Sequence, residues 1–101
     1  MTLNMKTERN GSEMTVFLSG ELNTVTAPEL GALLDRELPG VQKVTLDVAE
    51  CGYVSSAGIR VLLSTFKRIK AAKGSLQLSH VGENYMDVLE NTGLDAVFDI
   101  L

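Results

Sequence analysis

The sequence predicts an α/β fold: a mixed β-sheet that opens with an N-terminal antiparallel hairpin and continues through β-α-β-α-β units, with helices packed on the sheet. Three observations predict it. Apolar residues alternate at period two, the spacing of strands, in residues 3–7, 14–19, 43–48 and 76–78. They recur at helical spacing in two longer stretches, residues 30–38 and 59–69. Strands and helices alternate after the hairpin, so the later strands pair in parallel through right-handed crossovers.

Each element has its own justification. Leu3, Met5 and Thr7 alternate with Asn4, Lys6 and Glu8, and Asn10-Gly11 suits a tight hairpin because both residues tolerate positive φ. The β-branched and apolar run 14–19 ends at Gly20. Thr26-Ala27-Pro28-Glu29 has the spacing of a capping box, with proline early in the helix, where no amide partner is lost. Leu30, Leu33, Leu34 and Leu38 trace one face of that helix, and Pro39-Gly40 ends it. Residues 43–48 form the next strand. Residues 57–73 form a second helix, held by Ile59, Leu62, Leu63, Phe66 and Ile69 and stopped by Gly74. Leu76 and Leu78 mark another strand. Tyr85, Val88 and Leu89 line a short third helix that Gly93 closes as a left-handed cap, and residues 97–101 form a last short edge strand. With no internal repeat, low-complexity segment or linker, residues 1–101 make a single domain.

Composition excludes several classes. The net charge is −4, and cations cluster only at Lys67, Arg68, Lys70 and Lys73, which speaks against a nucleic-acid surface. That cluster reads as the solvated, dipole-favoured end of the second helix. No apolar run has the length of a membrane span and no leader-like apolar stretch opens the chain, so the expectation is a cytoplasmic protein without direct membrane insertion. The single cysteine, Cys51, excludes an internal disulfide and a cysteine metal cluster and reads as a small apolar filler under a loop. The one histidine, His80, reads as structural or surface. No Gly-x-Ser-x-Gly elbow, Gly-x-Gly-x-x-Gly or P-loop occurs. The expectation is therefore a binding module and not an enzyme, with no catalytic residue, metal ligand or cofactor.

The most informative stretch runs from Val44 to Leu63. A strand, Val44-Thr45-Leu46-Asp47-Val48, leads to a serine pair, and the apolar helix follows. A hydroxyl at a helix start can cap free amides, and a phosphate added there meets the positive end of the dipole. Ser55 is the better cap candidate. Two readings stand for Gly58: close packing of the helix start on the sheet, or a gap that, with Ala57, lets a partner approach the serine. Arg60 is either a solvent-screened cation or a guanidinium for a partner carboxylate or a phosphate on Ser56. Tyr53 reads as a packing residue with its hydroxyl at the rim. Asp47, ending its strand beside the serine loop, is a surface acceptor or part of a recognition edge.

This pattern resembles the STAS domain, the fold of bacterial anti-sigma factor antagonists. The motif residues are Ser55-Ser56-Ala57-Gly58-Ile59, followed by Arg60-Val61-Leu62-Leu63. A second family element, Gly-Glu-Leu-Asp before the first helix, stands here as Gly20-Glu21-Leu22-Asn23, and the two lie in the family's order across nearly the whole chain. Asn23 keeps the hydrogen-bonding shape of the family's Asp and drops its charge. The family usually carries a further helix after the last strand, whereas this sequence ends at Leu101. The resemblance implies a STAS-like sheet, with Ser56 as the phosphorylated serine and Glu21, Asn23, Asp47, Ser55, Ser56, Ala57, Gly58 and Arg60 on the partner-binding edge. It also implies a cycle. The unphosphorylated form binds an anti-sigma factor, typically a serine protein kinase, and frees a sigma factor. Phosphorylation of Ser56 by that kinase dissociates the complex, and a phosphatase resets it. The alternative within the family is an accessory or regulatory subunit of a transport system or a stress-signalling assembly.

Overall fold

Residues 3–101 are described in the computed structural model. β1 (Leu3–Asn10) and β2 (Glu13–Leu22) pair antiparallel, from Leu3 opposite Gly20 to Asn10 opposite Glu13, and Gly11 turns the hairpin at φ 65°. The chain then runs through α1 (Ala27–Glu37), β3 (Lys43–Val54), α2 (Ser56–Ala71), β4 (Ser75–Ser79), α3 (Glu83–Asn91), a single 3₁₀ turn at Leu94–Ala96, and β5 (Asp99–Ile100). All later pairings are parallel, and the sheet order is β1-β2-β3-β4-β5. Because each crossover moves the chain one strand in the same direction with the same hand, the helices collect on one face.

Burial follows from that layering. Met14, Val16, Leu18, Val44, Leu46, Val48, Leu76 and Leu78 point under the helices and are buried. Their alternates Thr15, Phe17, Thr45, Asp47 and Gln77 are half-exposed on the open face, where Gln77 Nε2 donates to Thr45 Oγ1 at 2.9 Å. From α1 come Ala27, Leu30, Leu33 and Leu34; from α3, Tyr85 and Leu89.

Four local expectations need correction. β3 runs on past Val48 to Val54, because β2 follows it in parallel register, with shifts between Phe17 and Ser19 and between Gly20 and Glu21 absorbing the broken alternation. The Thr26–Glu29 capping box does not form: α1 has no side-chain cap, since the Thr26 hydroxyl turns back to the preceding loop. On α2 the fully buried residues are Gly58, Leu62, Thr65 and Ile69, while Ile59, Leu63 and Phe66 are only half-buried against the core. Thr65 tolerates burial because its hydroxyl donates to the Val61 carbonyl at 2.8 Å. The last segment contributes only Asp99–Ile100 to the sheet; Phe98 leaves it to enter the core edge-on to Phe66. Gly74 and Gly93 act as expected. Gly74 lies so near the Gln42 carbonyl that a Cβ would stand 2.2 Å from that oxygen, and Gly93 is left-handed at φ 76°.

Candidate functional site

Two parallel strand ends, and the helix that leaves one of them, build the site. Leu22 ends β2 opposite Val54 at the end of β3. The Ser55 amide carries the pairing one residue further by donating to the Leu22 carbonyl at 2.8 Å. Ser55 is extended (φ −92°, ψ 173°), and its Oγ accepts from the Gly58 amide at 3.2 Å, so it is the N-cap of α2. Ser56 is thereby the first helical residue. It is exposed, and its hydroxyl has no side-chain partner among the described residues.

Gly58 is where the helix start sits down on the sheet. An added Cβ would come 2.7 Å from Leu22 Cγ and 2.9 Å from Val54 Cγ2, so only glycine lets α2 approach this closely. Of its two readings, the geometry displays close packing: Gly58 is buried and offers no surface of its own. Ala57 is half-buried beside it, and Arg60 is exposed one turn along from Ser56.

The facing wall is the loop after β2, and its polar groups are spent on one another. Asn23 Oδ1 accepts from the amides of Val25 (2.9 Å) and Thr26 (3.0 Å). Thr26 is 1% exposed, and its hydroxyl donates to the Glu21 carbonyl at 2.7 Å and accepts from the Asn23 amide at 2.8 Å. Asn23 Nδ2 reaches Glu21 Oε1 at 3.5 Å. Asn23 thus holds the loop in an Asx-type turn, a task its amide oxygen performs without charge.

The structure brings Glu21, Asn23, Ser55, Ser56, Ala57 and Gly58 together at this end of the sheet, with Arg60 one turn up α2. It does not bring Asp47 there. Asp47 pairs with Phe17 while Val54 pairs with Leu22, so the β2 residues between these rungs, at about 3.3 Å each, set them at least roughly 16 Å apart. The expected position of Asp47 at a strand end fails because β3 continues beyond it. Asp47 accepts from the Ala49 amide and lies 3.0 Å from His80 Nδ1.

Two exposed apolar residues lie on the segments that form this end of the sheet. Tyr53, opposite Glu21 in the ladder, is 51% exposed and not the packing residue expected, and Val25 is 73% exposed. The signal for Val25 was present in the sequence: an aliphatic side chain in a polar turn, with no strand or helix phase to bury it. Beneath the site Cys51 is buried with Sγ 3.5 Å from the Tyr53 carbonyl, and its thiol is pushed up mainly by burial. The Tyr85 hydroxyl is also buried, without a hydrogen-bond partner among the described residues, and burial holds it protonated. Neither group is poised to ionise near neutral pH.

Chemically, then, the site offers an accessible hydroxyl at the positive end of a helix dipole, with no acid in the first turn and an apolar rim. Among the described residues no three His, Cys, Asp or Glu side chains gather as a metal site would require, and no helix is long and apolar enough to cross a membrane.

A family model described as "Mlab, STAS domain" matches residues 5–101. The anti-sigma-B factor antagonist of Bacillus subtilis (strain 168) is 28% identical over 100 residues, covering 99% of this chain and 92% of that protein. An anti-sigma factor antagonist from Mycobacterium paratuberculosis superposes with a TM-score of 0.86 at 22% identity, over 97% of this chain and 84% of that one. The phosphorylated form of the Bacillus cell fate determinant SpoIIAA gives a TM-score of 0.77 at 16% identity, over 97% of this chain and 91% of that one. At such identities the two structures establish likeness of fold.

Proposed function

This chain belongs to the STAS domain family, and from that premise we propose that it is an anti-sigma factor antagonist. Unphosphorylated, it binds an anti-sigma factor that is a serine protein kinase and so frees a sigma factor; phosphorylation of Ser56 ends the binding, and a phosphatase restores it. Such partners place the protein in the cytoplasm. The observation that carries the reading is the exposed Ser56 hydroxyl at the first position of α2, at the sheet end that also presents exposed Val25 and Tyr53. A kinase can reach it, and a docked partner would cover it.

The physics divides the labour. A phosphate adds about −1.5 to −2 charges, yet at a helix N-terminus it is tolerated or mildly favourable. The fold therefore survives, and the effect falls on the interface, where a dianion meets a surface fitted to a hydroxyl. The partner face consists of Glu21, Asn23, Ser55, Ser56, Ala57 and Arg60, widened by Val25 and Tyr53. The protein performs no chemistry itself; it is the substrate of its partners.

Incubation with the cognate kinase and ATP, followed by mass spectrometry, tests the reading. Phosphate is expected on Ser56 and not on Ser55, and Ser56→Ala should bind the kinase while resisting modification. Phosphate on Ser55 alone, or a bare protein that fails to bind the kinase, would reject it.

A further inference from the structure

We infer that Arg60 is the receptor, within the same helix, for a phosphate on Ser56; the inference rests on the Ser56 reading above. α2 begins at Ser56, so Arg60 stands at i+4, and both residues are exposed. Side chains at this spacing meet on the helix surface, and the better order places the anion N-terminal to the cation. The Arg60 guanidinium makes no hydrogen bond or ion pair among the described residues. Of the other three arginines, Arg68 pairs with Asp35 and Arg9 bonds the carbonyls of Gly11, Glu37 and Pro39, while Arg36, in the last turn of α1, has no such partner among the described residues and lies on a different helix from Ser56.

In the unmodified protein Arg60 is a local misfit. A cation one turn from a helix start gains nothing from the dipole, the first turn of α2 holds no acid, and Ser56 to Ala71 contains neither Asp nor Glu. A phosphate on Ser56 removes the misfit. It satisfies the dipole, and its oxygens match the planar guanidinium fork. The cap does not compete, because Ser55 Oγ already holds the Gly58 amide.

The pairing gives phosphorylation a second effect. Arg60 borders the cleft between α1 and α2, together with Gly31, Asp35 and Ser64. A guanidinium drawn back to the phosphate leaves that cleft. One modification therefore adds an anion at Ser56 and withdraws a cation from the neighbouring surface.

The test installs phosphoserine at position 56 by genetic encoding, without any kinase, so that failure of the kinase reading and failure of this inference remain distinguishable. The phosphate is titrated by ³¹P NMR. An adjacent cation favours the dianion, so Arg60→Gln should raise the second phosphate pKa by about 0.15–0.4. The gap should narrow in 1 M salt, and Arg60→Lys should recover part of it. Lys67→Gln, a cation removed two turns further on, should leave the value where it is in the parent. Equal values for parent and Arg60→Gln, or an equal rise in Lys67→Gln, would overturn the inference.

Discussion

The two loops that meet at the site use similar residues in opposite ways. In the loop after β2, the side chains of Glu21, Asn23 and Thr26 bond one another and the local backbone. In the segment Ser55–Arg60 only the Ser55 hydroxyl is committed, while Ser56 and Arg60 are spare. One loop is built to hold a shape and the other to present groups. A polar motif residue therefore says little about role until its hydrogen bonds are counted.

The largest effect expected from this contrast lies beneath the presenting segment. Leu62 is wholly buried under α2, so Leu62→Ala should cost about 2–5 kcal/mol in a reversible urea melt. Half-buried Leu63, one residue on, should lose clearly less. Similar losses at both would mean that the helix face is rotated from the one described. Next comes Gly58→Ala. Helix propensity favours alanine by about 1 kcal/mol, but a Cβ at 2.7 Å from Leu22 Cγ should overpack the helix start by about 1–3 kcal/mol. A stabilised variant would show that the seat beneath α2 is loose.

Asn23→Ala and Ser55→Ala then compare the loops directly. Asn23 serves two amides and Ser55 one, so Asn23→Ala should cost somewhat more than the ~1 kcal/mol of a lost cap. The reverse order in thermal melts would dissolve the distinction between a holding and a presenting loop. Smallest in stability is Ser56→Asp, within about 0.5 kcal/mol of the parent. Its kinase affinity should nonetheless fall by about 1–3 kcal/mol in calorimetry. A large stability loss with unchanged affinity would assign Ser56 to the fold and not to the surface.

Much of this was legible in the sequence because local chemistry and fold agree. The alternation of Val44, Leu46 and Val48, the Asn10-Gly11 hairpin, the stops at Gly74 and Gly93 and the cap at Ser55 each have one dominant cause. What was not legible depended on long-range partners. β3 reaches Val54 only because β2 runs beside it with shifted register, and no window of single-strand periodicity contains that information. The Thr26 hydroxyl had two acceptable tasks, a cap ahead or a carbonyl behind, and the chain geometry chose the second. Tyr53 looked like a packing residue because its aromatic ring says nothing about the side of the strand it leaves from. At the site, the serine pair and the Gly20-Glu21-Leu22-Asn23 element were visible, and so was the signal for Val25 as an aliphatic side chain in a polar turn, whereas Asp47 was placed wrongly through the misjudged end of its strand.

The unequal lengths of β3 and β4 have a mechanical consequence. β3 spans Lys43–Val54, whereas β4 spans Ser75–Ser79 and its register with β3 ends at Asp47 opposite Ser79. Beyond that rung β3 has lost its β4 neighbour and keeps only β2, which β1 still borders as far as Gly20, while α3 lies against β3. Ser56 follows the tip of this narrowed extension, which grows out of the broad end of a five-stranded sheet. A load applied to β3 at the tip passes through the β2–β3 ladder and is not shared with β4 and β5. A partner docking at Ser56, as proposed, would therefore load the β2–β3 ladder before the rest of the sheet.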